Sequence, residues 1–186
     1  MPRFSTHLTP LSDLSILQRH PIGDDRGYLE RLFCQDELQS LFTGRSIVQI
    51  NHTLTTRVGT VRGMHFQYPP QAEMKLISCL YGEVFDVAVD LRQGSPTFLQ
   101  WHGEVLSANN HRTVVIPEGF AHGFQTLSDR CELIYFHTAP YTPKLEGGVR
   151  YDDPRLKIQW PLPVSDLSQR DLSHPLLSED FIGIAL

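Results

Sequence analysis

Gly59-Thr60-Val61-Arg62-Gly63-Met64-His65-Phe66-Gln67 is the stretch on which the reading of this chain turns. Apolar Val61 and Phe66 flank an arginine and a histidine inside a β-type run, so this is not a solvated polar loop. A buried imidazole near a fixed guanidinium suits acid–base chemistry on an anionic substrate. Alone, the stretch is better described as a core histidine with its hydrogen bonds met beside a surface arginine; the rest of the chain has to change that. Strict alternation sets Arg62 and His65 on opposite faces of one strand. Either Gly63 marks a bulge or twist, or the two residues serve different places, for example a dimer partner's pocket.

Outward from this run the pattern stays β. Candidate strands are 46–54, 59–66, 75–80, 83–91, 98–106, 111–116, 122–127 and 131–138. They are short, rich in Val, Ile, Phe and Thr, and separated by turn signals such as Tyr68-Pro69-Pro70, Gly94-Ser95-Pro96 and Pro117-Glu118-Gly119. Regular short strands with such turns predict an all-β sandwich or barrel, with Val84–Leu91 central. Upstream, residues 1–20 read as an N-terminal arm with a short strand at Ile16-Leu17. Tyr28–Phe33 reads as a strand and Gln35–Phe42 as a helix, with Leu38, Leu41 and Phe42 on one face and Gly44 at its end. Beyond Tyr141 a proline-punctuated tail, about 141–186, packs on the barrel with a short helix near 165–171. No linker isolates a second domain, so residues 1–186 read as one.

Bulk properties narrow the function. The 186 residues can bury a sizeable core, and a net charge of −5 without a basic run argues against nucleic acid as a partner. Cys34, Cys79 and Cys131 are widely spaced among apolar residues, as expected of free thiols in a reducing compartment. There is no signal-type N-terminus and no run of 18 apolar residues. The expectation is a cytoplasmic protein with no membrane contact.

Pro117-x-Gly119-x-x-His122 resembles the second motif of the cupin superfamily, and Gly59-x5-His65 the start of the first. Cupins are double-stranded β-helix (jelly-roll) barrels with the site in the barrel mouth. A metal cupin usually carries His-x-His and a following Glu in its first motif; here Gln67 replaces the second histidine. Two histidines and a glutamine make a poor divalent site, so no metal is expected.

Read together, the motifs are more specific. Gly23-Asp24-x-Arg26-Gly27, Gln49-x-Asn51-x-Thr53, Val61-Arg62-Gly63-Met64-His65-x-Gln67, Lys75-Leu76, Phe85–Arg92, Ile116–Phe124, Tyr135-x-x-Thr138-x-x-Tyr141-x-Pro143 and Asp153-Pro154 to Trp160-Pro161 occur in this order. The set, from about residue 16 to about 177, resembles the dTDP-4-dehydrorhamnose 3,5-epimerase family. That resemblance implies a nucleotide-sugar substrate with a C4 ketone, no cofactor, and a homodimer exchanging an N-terminal strand. His65 matches the family's base, Tyr135 its acid, and Asp171 the carboxylate that pairs with the histidine. Arg26, Arg62 and Arg170 match positions that hold phosphates or their surroundings. Gln49, Asn51, His122 and Glu146 match further substrate contacts.

The residue types fit the implied chemistry. Protons on C3 and C5 are acidified by the neighbouring carbonyl. Epimerisation needs a base on one face, an acid on the other and a donor to the enolate oxygen. A phenol is protonated at pH 7, Lys75 could stabilise the enolate, and Tyr141 could stack on a ring.

The chain departs from the family pattern at Glu30-Arg31, in one extra residue between Asn51 and Arg62, at Phe136 and at Pro140. These departures leave open which nucleotide is bound and whether C3 or C5 alone is epimerised. A non-catalytic sugar-nucleotide-binding cupin and a metal-dependent oxygenase are the readings from other classes.

Overall fold

The computed structural model describes residues 2–186. Eight strands carry the barrel: β5 (Gln49–Thr55), β6 (Val61–Gln67), β7 (Lys75–Tyr81), β8 (Glu83–Asp90), β9 (Trp101–Ser107), β10 (Arg112–Ile116), β11 (Phe120–Thr126) and β12 (Cys131–His137). They are the eight expected strands, with ends moved by up to three residues. Before them come β1 (Phe4–Leu8), β2 (Ser15–Arg19), β3 (Ile22–Asp24), β4 (Gly27–Leu29) and helix α1 (Gln35–Phe42). After them come β13 (Glu146–Gly148) and helix α2 (Gln169–Ser173).

Two facing sheets result, ordered β1-β2-β10-β7-β12-β5 and β13-β6-β11-β8-β9. Their non-sequential order is that of a cupin-type jelly roll, the expected fold class. Between them Ile16, Ile77, Val84, Ala88, Leu106, Val114, Phe120, Phe124 and Leu133 form a buried cluster. β8 is expected to be central and is an interior strand, paired with β11 and β9, while β11 occupies the middle of its sheet. Val84 and Ala88 face this core, while Val87 and Val89 pack on the far side against Val149, Leu156 and Ile184 of the tail. Each fully buried aliphatic side chain contributes roughly 1.5–3 kcal/mol, so the tail covers a face that water would otherwise wet.

Helix α1 matches its expected bounds. Leu38 and Phe42 bury one stripe against Leu17, Leu76 and Phe136, and left-handed Thr43 and Gly44 (φ 45° and 85°) end it. The expected strand Tyr28–Phe33 is corrected: only Gly27–Leu29 is extended in a ladder, paired with Ile22–Asp24. Glu30 turns away because its carboxylate is taken by Arg19 at 3.2 Å and His111 at 2.8 Å. The N-terminal strand β1 lies antiparallel on β2 of its own chain, Phe4 opposite Arg19. No helix among the described residues is long and apolar enough to cross a membrane.

Gly63 resolves the parity conflict. His65 pairs with His122 and Arg62 with Phe124, so three steps along β6 match two along β11. The extra residue is a β-bulge, which returns Arg62 and His65 to a common side. Gly63 has φ +133°, and a Cβ there would stand 2.5 Å from the Gly123 Cα and 2.8 Å from the His122 carbonyl oxygen. Only glycine fits that close approach of two backbones.

Candidate active site

The mouth between the two sheets opens into a cavity of about 360 Å³. Gln49 and Asn51 come from β5, Lys75 from β7 and Tyr135 from β12, all on the six-stranded sheet; Arg62 and His65 from β6 and His122 from β11 face them. Tyr141, Glu146 and Arg170 close one end. Ten of the twelve residues expected from sequence therefore line one cavity. Asp171 stands directly behind His65. Arg26 is the exception: its side chain is 90 % exposed in the β3–β4 hairpin and paired with Asp24 at 2.6 Å. Within this chain it does not reach the cavity.

Asp171 arrives from 106 residues away. Ser168 caps α2 by accepting the Asp171 backbone N–H at 3.0 Å, which leaves the Asp171 carboxylate free to turn inward. One carboxylate oxygen lies 2.8 Å from His65 Nε2, and the other accepts the Gly63 N–H at 3.2 Å. Burial works against the charged carboxylate, but the His65 contact and the Gly63 and Ser168 hydrogen bonds hold it below the usual range. A carboxylate can only accept, so Nε2 carries the proton and Nδ1 is left as the basic nitrogen.

On the opposite sheet the Tyr135 ring stacks on His137 (centroids 6.0 Å apart, planes at 10°) and meets His122 edge-on at 6.0 Å. Burial pushes the Tyr135 phenol well up, and the Asp86 carboxylate adds to the effect. It therefore stays protonated across neutral pH and is available as an acid. His122 holds Asp86 through Nε2 at 2.8 Å, with both side chains buried.

Lys75 is almost buried and paired with Glu73 at 3.1 Å; the other Glu73 oxygen lies 2.8 Å from His137 Nδ1. Burial opposes the charge on Glu73, but His137 and Lys75 keep its carboxyl below the usual range. Among the described residues Arg62 has no ion-pair partner, whereas Arg170 is paired with Glu146, which also accepts the Tyr141 hydroxyl at 2.7 Å. Two guanidinium groups among the residues lining the cavity suit phosphate oxygens.

Glu73, Asp86, His137 and His174 were not read from the sequence as site residues. Period two is the signal that finds two of them: Glu73 stands two before Lys75, and His137 two after Tyr135, so each shares its partner's face. His65, Asp171 and His174 are the one grouping among the described residues whose ligand atoms lie close enough, within 4.8 Å, to hold a metal ion. The first two already bond one another. The three thiols are unpaired, Cys79 and Cys131 buried and Cys34 half-buried; burial pushes Cys79 up to about 12.

The family model described as dTDP-4-dehydrorhamnose 3,5-epimerase matches residues 8–179. The dTDP-4-dehydrorhamnose 3,5-epimerase of Salmonella typhimurium is 44 % identical over 174 residues, covering 92 % of this chain and 94 % of its own. The crystal structure of dTDP-6-deoxy-D-glucose-3,5-epimerase from Legionella pneumophila, in complex with dTDP-4-keto-L-rhamnose, superposes with a TM-score of 0.89 at 38 % identity, covering 97 % of this chain and 98 % of that one. A 3'-monoepimerase from Streptomyces bikiniensis in complex with dTDP-quinovose gives 0.82 at 30 % identity, covering 91 % and 86 %. With a matched model over most of its length and relatives above 40 % identity, the chain belongs to the dTDP-4-dehydrorhamnose 3,5-epimerase family.

Proposed function

We propose that this protein epimerises C3 and C5 of a dTDP-linked 4-keto-6-deoxyhexose without a cofactor. The observation that carries the reading is one cavity with a carboxylate-backed imidazole on one sheet and a protonated phenol on the facing sheet. His65 Nδ1 removes the proton next to the C4 ketone. The electron pair of the broken C–H bond moves onto the ketone oxygen as an enolate, which the Lys75 ammonium stabilises. Tyr135 then returns a proton to the opposite face of the carbon. Exchange with solvent returns the proton from His65 and reprotonates Tyr135, and the same set acts on the second carbon. Asp171 holds the His65 tautomer and raises its basicity. Arg62 and Arg170 take the diphosphate, Gln49, Asn51 and His122 position the sugar, and Tyr141 with Glu146 takes the base.

Incubating the protein with this substrate in deuterated water tests the reading, since solvent deuterium must enter both carbons. The single-carbon alternative has its own support, because a related fold serves a 3'-monoepimerase. Deuterium at C3 or C5 alone selects it, and exchange at neither returns the protein to a binding role.

The proposal includes a homodimer in the cytoplasm. The β1 strand, paired on its own β2, would be exchanged onto the partner. The exposed hairpin with Arg26, Tyr28 and Leu29 would then be covered, which reconciles Arg26 with its resemblance to a phosphate-binding position. Light scattering that gives a monomer at micromolar concentration rejects this part.

A further inference from the structure

One wall of the cavity is a continuous hydrogen-bonded chain. The Tyr141 backbone N–H donates to Gln49 Oε1 at 2.9 Å, and Gln49 Nε2 to Asn51 Oδ1 at 3.2 Å. Asn51 Nδ2 lies 3.3 Å from His137 Nε2, and His137 Nδ1 lies 2.8 Å from Glu73. Both ends are fixed. A backbone N–H can only donate, and a carboxylate held ionised by Lys75 and His137 can only accept. Every amide and the imidazole between them must therefore point the same way. His137 is neutral in this arrangement, with its proton on Nδ1.

The direction has a consequence for the ligand. Gln49 and Asn51 spend an oxygen inside the chain, and each keeps an unused amide hydrogen. The Lys75 ammonium has hydrogens left after its bond to Glu73. This wall offers the cavity donors. A carbonyl or enolate oxygen takes these donors directly, whereas a hydroxyl also brings a hydrogen, which must compete for an amide oxygen the chain already uses or turn aside to the Thr53 hydroxyl.

We propose that Glu73 and His137 are positioning residues that lock this polarity and so make the pocket selective for a keto sugar over the corresponding alcohol. The inference rests on the function proposed above. Neither residue needs to touch the substrate; each acts through Asn51, Gln49 and Lys75.

His137→Asn tests it. The shorter amide can still donate to Glu73 but no longer reaches Asn51, so the carboxylate keeps its partner while the chain is cut. His137→Phe is the second variant, keeping a ring against Tyr135. The readout is the ratio of dissociation constants of the dTDP-linked 4-hydroxy and 4-keto sugars, by calorimetry, with a thermal melt to confirm folding. The expected result is a fall in that ratio of about tenfold, the value of one unmatched hydrogen bond. A folded variant of either kind that keeps the wild-type ratio overturns the inference, even if both affinities drop together as a purely structural role would produce. Wild-type protein that exchanges no carbon-bound hydrogen of the keto sugar instead overturns the proposed function, whatever the variants do.

Discussion

Replacing Asp171 by Asn changes almost no volume but removes the charge behind His65. The carboxylate now serves two N–H donors, His65 Nε2 at 2.8 Å and Gly63 N at 3.2 Å. An amide has one oxygen, so one donor must face an NH₂ group. If the NH₂ faces His65, the imidazole proton is driven to Nδ1 and the basic nitrogen is blocked. If it faces Gly63, the His65 bond survives without its charge. Losing the charge assistance costs about 1–1.5 kcal/mol, and the mispaired donor or wrong tautomer about 1–3 more. The sum, about 2–4.5 kcal/mol in the transition state, is roughly a 30- to 2000-fold loss of kcat. KM should change by less than about threefold, because Asp171 sits behind His65 and binds no substrate group. Steady-state kinetics, with deuterium wash-in followed by NMR, separates the two constants. A variant with kcat within threefold of wild type, or with its whole loss in KM, refutes the base assignment.

Other outcomes follow from the same site. Tyr135→Phe should keep deuterium wash-in from the His65 face but deliver less than about a hundredth of the inverted product, which NMR of the sugar protons reads directly. Asp171 and Glu73 both have folded values depressed below their ordinary 3.8 and 4.5. Their stabilisation is thus complete above those ordinary values and is lost as pH falls through the folded ones. The urea midpoint should stay level from pH 8 to about 5 and drop steeply below about 4; a midpoint unchanged down to pH 3 contradicts this. EDTA should leave kcat unchanged. Added Zn²⁺ should inhibit by binding among His65, Asp171 and His174, whose ligand atoms lie within 4.8 Å of one another, and so breaking the His65–Asp171 pair. Inhibition that persists in His174→Ala rules out that grouping.

What sequence could reveal followed the range of the interaction. The barrel strands, the helix Gln35–Phe42 and the interior, two-sided burial of Val84–Leu91 depend on local periodicity and turn residues, and they were legible. The strand proposed over Tyr28–Phe33 was not, because Glu30 is claimed by Arg19 and His111, and His111 is 81 residues away. The pairing of His65 with Asp171 has no local signal; it came from ordered motifs matching a family. Arg62 and His65 looked incompatible under strict alternation until Gly63 supplied the extra residue, and glycine was the visible hint. Glu73 and His137 were visible in principle, by period two from Lys75 and Tyr135. They went unread because an acid and a histidine near strand ends look like ordinary surface charge. Arg26 was read as a site residue from its motif, yet a single chain leaves it outside the cavity.

The most direct test of the account is positional deuterium incorporation into the dTDP-linked 4-keto-6-deoxyhexose by wild-type protein and by His65→Ala. Wild type should place label at both C3 and C5 and the variant at neither, while the variant still binds dTDP. Full exchange in His65→Ala, or none in wild type, would contradict it.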